Sequence, residues 1–373
     1  MFYPKILFTA IIAISVLNPF RSPSVEQENI LRPPADNTRI LRTDLNFPWE
    51  ILWGKDDMIW MTERGGRISK LDPKTGNTLF SVRIAEVVSN NEGGMLGMVQ
   101  DPGFLTNGLF YVVYDYKNDG DYREKMVQMK YSNNAIRELK TLIDNIPAYA
   151  IHNGSRLWIT AGPDPKIFMT TGDASVGDNA QDLHSLSGKV LRMNLDGTIP
   201  ADNPIAGSPV WSFGHRNPQG LVMYNGILYA SEHGPDIEDE VNIIEKNRNY
   251  GWPNVKGPCD HTTEKIFCAV NKVKEPIWSS GSSTIAVCGL DHYSGTRIPD
   301  WQGCLLMCTL KDASLRVFHL SADGLTITSK KTYFKNKFGR LRDICISPDG
   351  KVYLCTSNGN NEDVLVEVSG PVN

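Results

Sequence analysis

The amino-acid sequence predicts an all-β protein, a single six-bladed β-propeller, and two observations carry that expectation. The first is a chain of short apolar and aromatic runs closed by Gly, Pro, Asn and Asp, with no sustained helical period. It holds 32 Gly and 22 Pro among 373 residues, so turns are frequent. The second is a unit that recurs six times: a polar turn, a strand of four or five residues, then small polar residues. It reads DDMIWMT at Asp56–Thr62, NGLFYVV at Asn107–Val113, DPKIFMTT at Asp164–Thr171, NGILYAS at Asn225–Ser231, QGCLLMCT at Gln302–Thr309 and DGKVYLCT at Asp349–Thr356. Taking the turns at 57, 107, 164, 225, 302 and 349, the gaps are 50, 57, 61, 77 and 47, averaging about 58. A turn-and-hairpin period of that size is the signature of propeller blades. The long gap predicts an insertion, placed at Gly251 to Val273. An irregular β-sandwich with similar hairpins is the competing architecture.

The propeller is assigned to residues 41–373. Residues 1–22 read as a signal peptide or N-terminal leader: Lys5 precedes an apolar run from Ile6 to Leu17, too short to span a bilayer. Residues 23–40 read as a polar linker. The leader implies a periplasmic or extracellular protein, membrane-tethered if the leader stays uncleaved.

Composition narrows the function classes. With 38 Lys and Arg against 42 Asp and Glu, the net charge of −4 offers no global field for nucleic acid or anionic lipid. No GxGxxG, P-loop or Ser-centred elbow occurs, so nucleotide phosphate binding and triad hydrolysis have no support. The seven cysteines all follow residue 258, and none has zinc-site spacing. Cys259 and Cys268 flank a short polar loop and can bridge. Cys304 and Cys308, four apart on a strand, are roughly 13 Å apart and cannot. The rest read as buried thiols.

Several loops beside expected strands carry more polar and glycine residues than turns require. They include EGGMLG at Glu92–Gly97, HNGSRL at His152–Leu157, Gly172-Asp173-Ala174, GHRNPQG at Gly214–Gly220, EHGP at Glu232–Pro235, and NYGWP at Asn249–Pro253. Arg216, Lys311 and the pair Arg340 and Arg342 come from separate repeats; if they converge, they need a multiply anionic partner. Carbonyls at Gly234 and Pro235, with Glu240 and the Tyr250 region, offer oxygen ligands of the kind calcium takes. His152 is a candidate base. Plainer readings stand beside these: His152 as a hydrogen-bonded turn residue, Arg340 and Arg342 as a solvated face partnered by Asp343, Glu240 as a turn cap.

Taken together, these segments resemble the soluble pyrroloquinoline-quinone (PQQ) sugar dehydrogenases, the glucose/sorbosone dehydrogenase family, and within it the shorter aldose sugar dehydrogenases. The resemblance runs from FPWE at Phe47–Glu50 and TERGGR at Thr62–Arg67 to GRLRDICISPDGKVYL at Gly339–Leu354, covering roughly residues 45 to 369. It implies PQQ and calcium (Ca2+) as cofactors and oxidation of an aldose at its anomeric carbon to a lactone. It implies His152 as the base, Arg216 and Asn217 on the quinone oxygens, and Lys311, Arg340 and Arg342 on the cofactor carboxylates. Glu92 falls where the family has Gln or Glu near the cofactor. Gly234 and Pro235 match carbonyls that ligate the cofactor's calcium, and Glu240 and Tyr250 match a second, structural calcium site. An external electron acceptor and a monomer or homodimer are expected; nucleic acid is not. Two departures stand out. Ile151 replaces the acidic residue that precedes the catalytic His in glucose-specific members, and Ser279 to Tyr293, containing Cys288, matches the family's pocket wall poorly. The alternatives are a non-catalytic extracellular propeller that only binds, or a calcium-dependent lactonase.

Overall fold

The computed structural model describes residues 1–2 and 37–372. Apart from Met1 and Phe2, the leader at 1–22 and the first part of the linker lie outside the described residues. Within the unit Asp36–Asn373, the strands form six four-stranded antiparallel sheets. In five of them the chain runs from the innermost strand outwards, as in Pro48–Trp53, Ile59–Glu63, Arg67–Leu71 and Thr78–Arg83. The six innermost strands are Pro48–Trp53, Met95–Gln100, Gly154–Ile159, Pro218–Tyr224, Val287–Tyr293 and Leu341–Ile346, and each packs beside the next until the ring closes. This is the six-bladed propeller expected from the repeat.

Closure is made by the sixth blade. Its outermost strand is Thr38–Leu45, paired antiparallel to Asp363–Val368, so the start of the propeller is clasped to its end. That strand starts at Thr38, three residues inside the stretch 23–40 read as linker. Arg39 and Ile40 are exposed on the rim of the sheet, and an outermost strand lacks the apolar alternation that would have marked it.

The repeated unit is the second strand of each blade with the turn that leads into it. The reason is burial. Second strands lie between two ladder partners with a blade packed on each face, and Ile59–Glu63, Lys166–Thr171, Cys304–Thr309 and Val352–Thr356 are buried along their whole length. Fourth strands such as Thr78–Arg83 are mostly exposed and carry no such signal. The apolar run is therefore strongest one strand out from the axis.

The expected insertion lies between the third and fourth strands of the fourth blade, Glu240–Ile244 and Trp278–Ser279. It contains the helix Thr262–Asn271, stapled by a disulfide between Cys259 and Cys268. The other five cysteines are free and buried. Among the described residues no helix is long and apolar enough to cross a membrane. Up-and-down connectivity sorts the loops: second-to-third-strand loops and blade-to-blade connections share one end of the ring, the remaining turns the other. Every candidate site residue named above, the calcium candidates included, falls at or near the first end, here called the mouth.

Candidate active site

His152 sits on the connection into the third blade with φ of 65°. Its ring is held by Asp173, which follows the second strand of the same blade: Nδ1 lies 2.8 Å from Asp173 Oδ1. A carboxylate accepts, so Nδ1 carries the proton and Nε2 keeps the lone pair. The Asp173 side chain is 2% exposed and that of His152 13%. Asp173 is itself fixed, accepting from the Ser175 N–H (2.8 Å) and from Trp252 Nε1 (2.8 Å), while its own N–H donates to the Arg216 carbonyl (2.8 Å). The His152 N–H donates to Glu92 Oε2 at 3.3 Å. Gly172 is obligatory here, because a Cβ would lie 1.9 Å from the His152 carbonyl oxygen. Sequence reasoning marked the segment containing Asp173 as too polar for a turn but gave it no role; only the fold joins it to His152.

Around this dyad stand cations from several blades. The Arg216 guanidinium lies 5.3 Å from the Trp252 ring and donates through Nη1 to the His233 carbonyl (3.4 Å), and its backbone N–H is accepted by Glu232. Arg342, on the innermost strand of the sixth blade, is buried and donates to Gln219 Oε1 at 2.7 Å. Arg340 is exposed overall, but its Nε end is partly buried and donates to the Ser357 carbonyl at 3.1 Å. A further cation, Arg64, was not singled out by sequence. It stacks on Phe47 at 3.9 Å and donates to the Asn91 carbonyl. Burial, then the nearby charge of Arg342, pushes it down to about 10. Burial also holds Arg216 and Arg340 below their ordinary values, with Arg342 adding to the effect on Arg340. Lys311 stands apart, exposed at the rim and donating to Thr284 Oγ1 at 3.1 Å.

Several donors here are buried without an acceptor. Nε of Arg64, Arg216 and Arg342 has no hydrogen-bond partner, nor has Nε2 of His233. Burial, then the charges of Arg342, Arg216 and His152, drives His233 down to about 3, so its imidazole is neutral. Desolvated guanidinium groups that crowd one another and keep unpartnered N–H donors fit a multiply anionic ligand. Asn217 is spent on structure, its Oδ1 accepting from the Gly154 N–H at 3.1 Å.

The oxygen-rich half of the prediction also comes together. Gly234, Pro235, Glu240 and Tyr250 line one cavity with Arg216 and Glu232, of about 10 Å³, the scale of a single ion or water. Glu232 and Glu240 face each other across the ladder. Burial, then Glu232, pushes Glu240 up to about 8. Gly234 is turned by Asp239, whose Oδ1 accepts its N–H at 2.9 Å. The Tyr250 hydroxyl is already committed, donating to the Ile243 carbonyl (2.5 Å) and accepting from the Glu245 N–H (2.8 Å). Any ligand atom from Tyr250 is thus its carbonyl. Hard oxygen donors and adjacent carboxylates suit a calcium-type ion.

This geometry has counterparts of known kind. Residues 45–366 match the Glucose / Sorbosone dehydrogenase family. The chain belongs to that family. It is 28% identical to the quinoprotein glucose dehydrogenase B of Acinetobacter calcoaceticus, covering 96% of this chain and 93% of that one. The PQQ-bound aldose sugar dehydrogenase of Streptomyces coelicolor superposes with a TM-score of 0.74 at 29% identity, covering 88% of this chain and 97% of the other. The apo-form aldose sugar dehydrogenase of Escherichia coli gives 0.78 at 28% identity, covering 88% and 98%.

Within this dehydrogenase the plainer reading of Arg342 fails. Arg342 is not on a solvated face, and Asp343 is not its partner. Asp343 is buried beneath the mouth, where Arg156 Nη1 reaches Asp343 Oδ2 (3.0 Å) and Glu50 Oε2 (2.7 Å). Ile151 does not leave His152 unsupported, because Asp173 holds the ring from another loop. Cys288 lies in the core, its thiol donating to the carbonyls of Leu341 (3.1 Å) and Cys308 (3.3 Å).

Proposed function

We propose that this chain oxidises aldose sugars at the anomeric carbon, giving lactones, with PQQ and calcium as its cofactors. The observation that carries the reading is the His152–Asp173 dyad set among guanidinium groups whose buried Nε, in Arg64, Arg216 and Arg342, has no acceptor. Arg216, Arg340, Arg342 and Arg64, with Lys311 at the rim, would hold the cofactor's carboxylates and quinone oxygens, and Glu92 and Asn217 would border it. Gly234 and Pro235 would ligate the cofactor's calcium, and Glu240 with the Tyr250 carbonyl a structural one. When bound, the calcium-polarised quinone supplies the acceptor for the substrate's hydride.

The chain's own part is proton handling and positioning. His152 Nε2 is poised to take the proton of the anomeric hydroxyl as the C1 hydride departs. Asp173 keeps the proton on Nδ1 and steadies the imidazolium that forms. Glu92 fixes the backbone of the His152 loop through its N–H. Neutral His233 adds no further positive charge to the mouth. An external electron acceptor would restore the enzyme. We place the enzyme in the periplasm or outside the cell, on the leader-like residues 1–22 and a disulfide that an oxidising compartment would preserve.

The test is reconstitution. Purified apoprotein is mixed with PQQ and Ca2+, then given a panel of aldoses while an artificial dye is followed. Turnover that requires both additions is expected; a protein whose titration with PQQ shows no binding overturns the cofactor assignment and leaves a propeller that only binds.

A further inference from the structure

At the end of the ring opposite the mouth, the central channel opens into a cavity of about 530 Å³. That is within the range of roughly 300–1,000 Å³ typical of small-molecule pockets. Its walls are the ends of the innermost strands, and they are mostly apolar: Leu52, Trp53, Trp158, Leu221, Leu290 and Ile344. Glu50, Arg156 and Asp343 also line it, and Asp291 stands on the wall.

The charges do not balance. Arg156 serves both Glu50 (2.7 Å) and Asp343 (3.0 Å), one cation for two carboxylates. Asp291 accepts the backbone N–H of His292 at 2.7 Å, and among the described residues no cation pairs with it. Lys55, exposed on the cavity's lining, forms no ion pair among the described residues, so three carboxylates stand against two cations. Burial pushes Asp291 up to about 7, as an unpaired carboxylate facing apolar walls should behave. A cavity with indole and aliphatic walls and surplus negative charge selects for positive charge carried on an apolar body.

We propose that this basal cavity is a second binding site, for an organic cation whose ammonium pairs with Asp291 while its apolar part lies against Trp53, Trp158 and Leu221. The site is independent of the sugar chemistry, since the Arg156 cluster lies between it and the mouth.

The test uses the full-length protein and three probes of one chain length: hexyltrimethylammonium, hexanol and hexanoate. Isothermal titration and tryptophan fluorescence read their affinities. The cation should bind at least about 10-fold tighter than the alcohol, and hexanoate more weakly still. Asp291→Asn should remove that preference, bringing the cation to the level of the alcohol, while dye-linked sugar oxidation is unchanged. Leu221→Trp, checked for native circular dichroism, should block all three probes. No binding of the cation, equal binding of cation and hexanoate, or full cation affinity in Asp291→Asn overturns the proposal. If Leu221→Trp does not fold, the Asp291→Asn comparison decides alone.

Discussion

The two ends of the ring are made by the same strands and differ in what their turns tolerate. In the short hairpin turns at the base, the non-glycine residues with positive φ are those that accept it readily: Asp57, Asn133, Asn134 and Asn225. At the mouth, besides Asn91, Asp119, Asn336, Asn360 and Asn361, they include His152, Ser155, Ala174, Ser175, Glu238 and Ala286. Such residues pay a conformational cost there that hydrogen bonds must hold in place. The base turns close hairpins, whereas the mouth loops are bent to aim particular groups. The less tolerant residues thus gather at the mouth, around the dyad and also beyond it at Ala313 and Phe334.

If that contrast reflects chemistry, the largest losses should come from the mouth. His152→Ala should lower kcat by about 10²–10⁴-fold while PQQ affinity is kept, since the ring contributes a base and not the cofactor's counter-charge. Asp173→Asn should cost turnover in the same direction, because an amide can donate to Nδ1 and favour the wrong tautomer. Steady-state dye assays beside a cofactor titration separate the two effects. Undiminished turnover in His152→Ala would remove it from the mechanism.

The next largest effect should come from the channel between the two ends. Arg156→Met leaves Glu50 and Asp343 buried without their cation, and burial already raises both carboxyls above their ordinary range. Breaking such a cluster by deleting one partner typically costs about 3–5 kcal/mol. Urea unfolding should show it as a shifted midpoint, and adding Glu50→Gln and Asp343→Asn should recover part of the loss. A single mutant as stable as the parent would mean that the cluster is already neutral.

The same contrast explains what could be read from the sequence. Second strands announced themselves through Ile59–Glu63 and its five equivalents because they are buried on both sides, and their spacing counted the blades. Thr38–Leu45 did not, since the closing strand is half solvent and pairs with residues more than 300 positions away. At the mouth, His152, Arg216, Arg340 and Arg342 were legible as residues out of place in turns. Asp173 and Arg64 were not, although both sit inside segments already noted. A carboxylate becomes an orienting group only when the fold sets it 2.8 Å from an imidazole. Arg156 was hidden for the same reason, its two partners lying more than 100 residues away on either side.

A subtler effect belongs to the base. His292 is buried there, stacked on Tyr224 with Nε2 unpartnered, and burial pushes it down to about 4 from its ordinary 6.5. A folded-state pKa below the unfolded value means that the unfolded chain binds the extra proton first. The stability tied to neutral His292 is therefore complete above about pH 6.5 and lost as pH falls towards 4. His292→Phe, which keeps a ring against Tyr224, should flatten the decline across that window by about 1–2 kcal/mol. Thermal unfolding from pH 7 to 4 measures it, and parallel curves for variant and parent would refute the buried neutral imidazole.

The smallest global effect is expected outside both ends, in the insertion. The Cys259–Cys268 bridge closes a short loop around the helix Thr262–Asn271, which lies outside all six sheets. Local opening of such a segment need not unfold the ring. Cys268→Ser should lower the unfolding free energy measured in urea by less than about 0.5 kcal/mol while cleavage within residues 259–273 by added protease becomes several-fold faster. A global loss instead would make the insertion part of the cooperative unit. The Tyr250 loop, which leads directly into it, would then link that cost to the calcium candidates: a Cys268→Ser protein should regain its stability when Ca2+ is added if the staple acts through that loop, and should not if it acts on the ring itself.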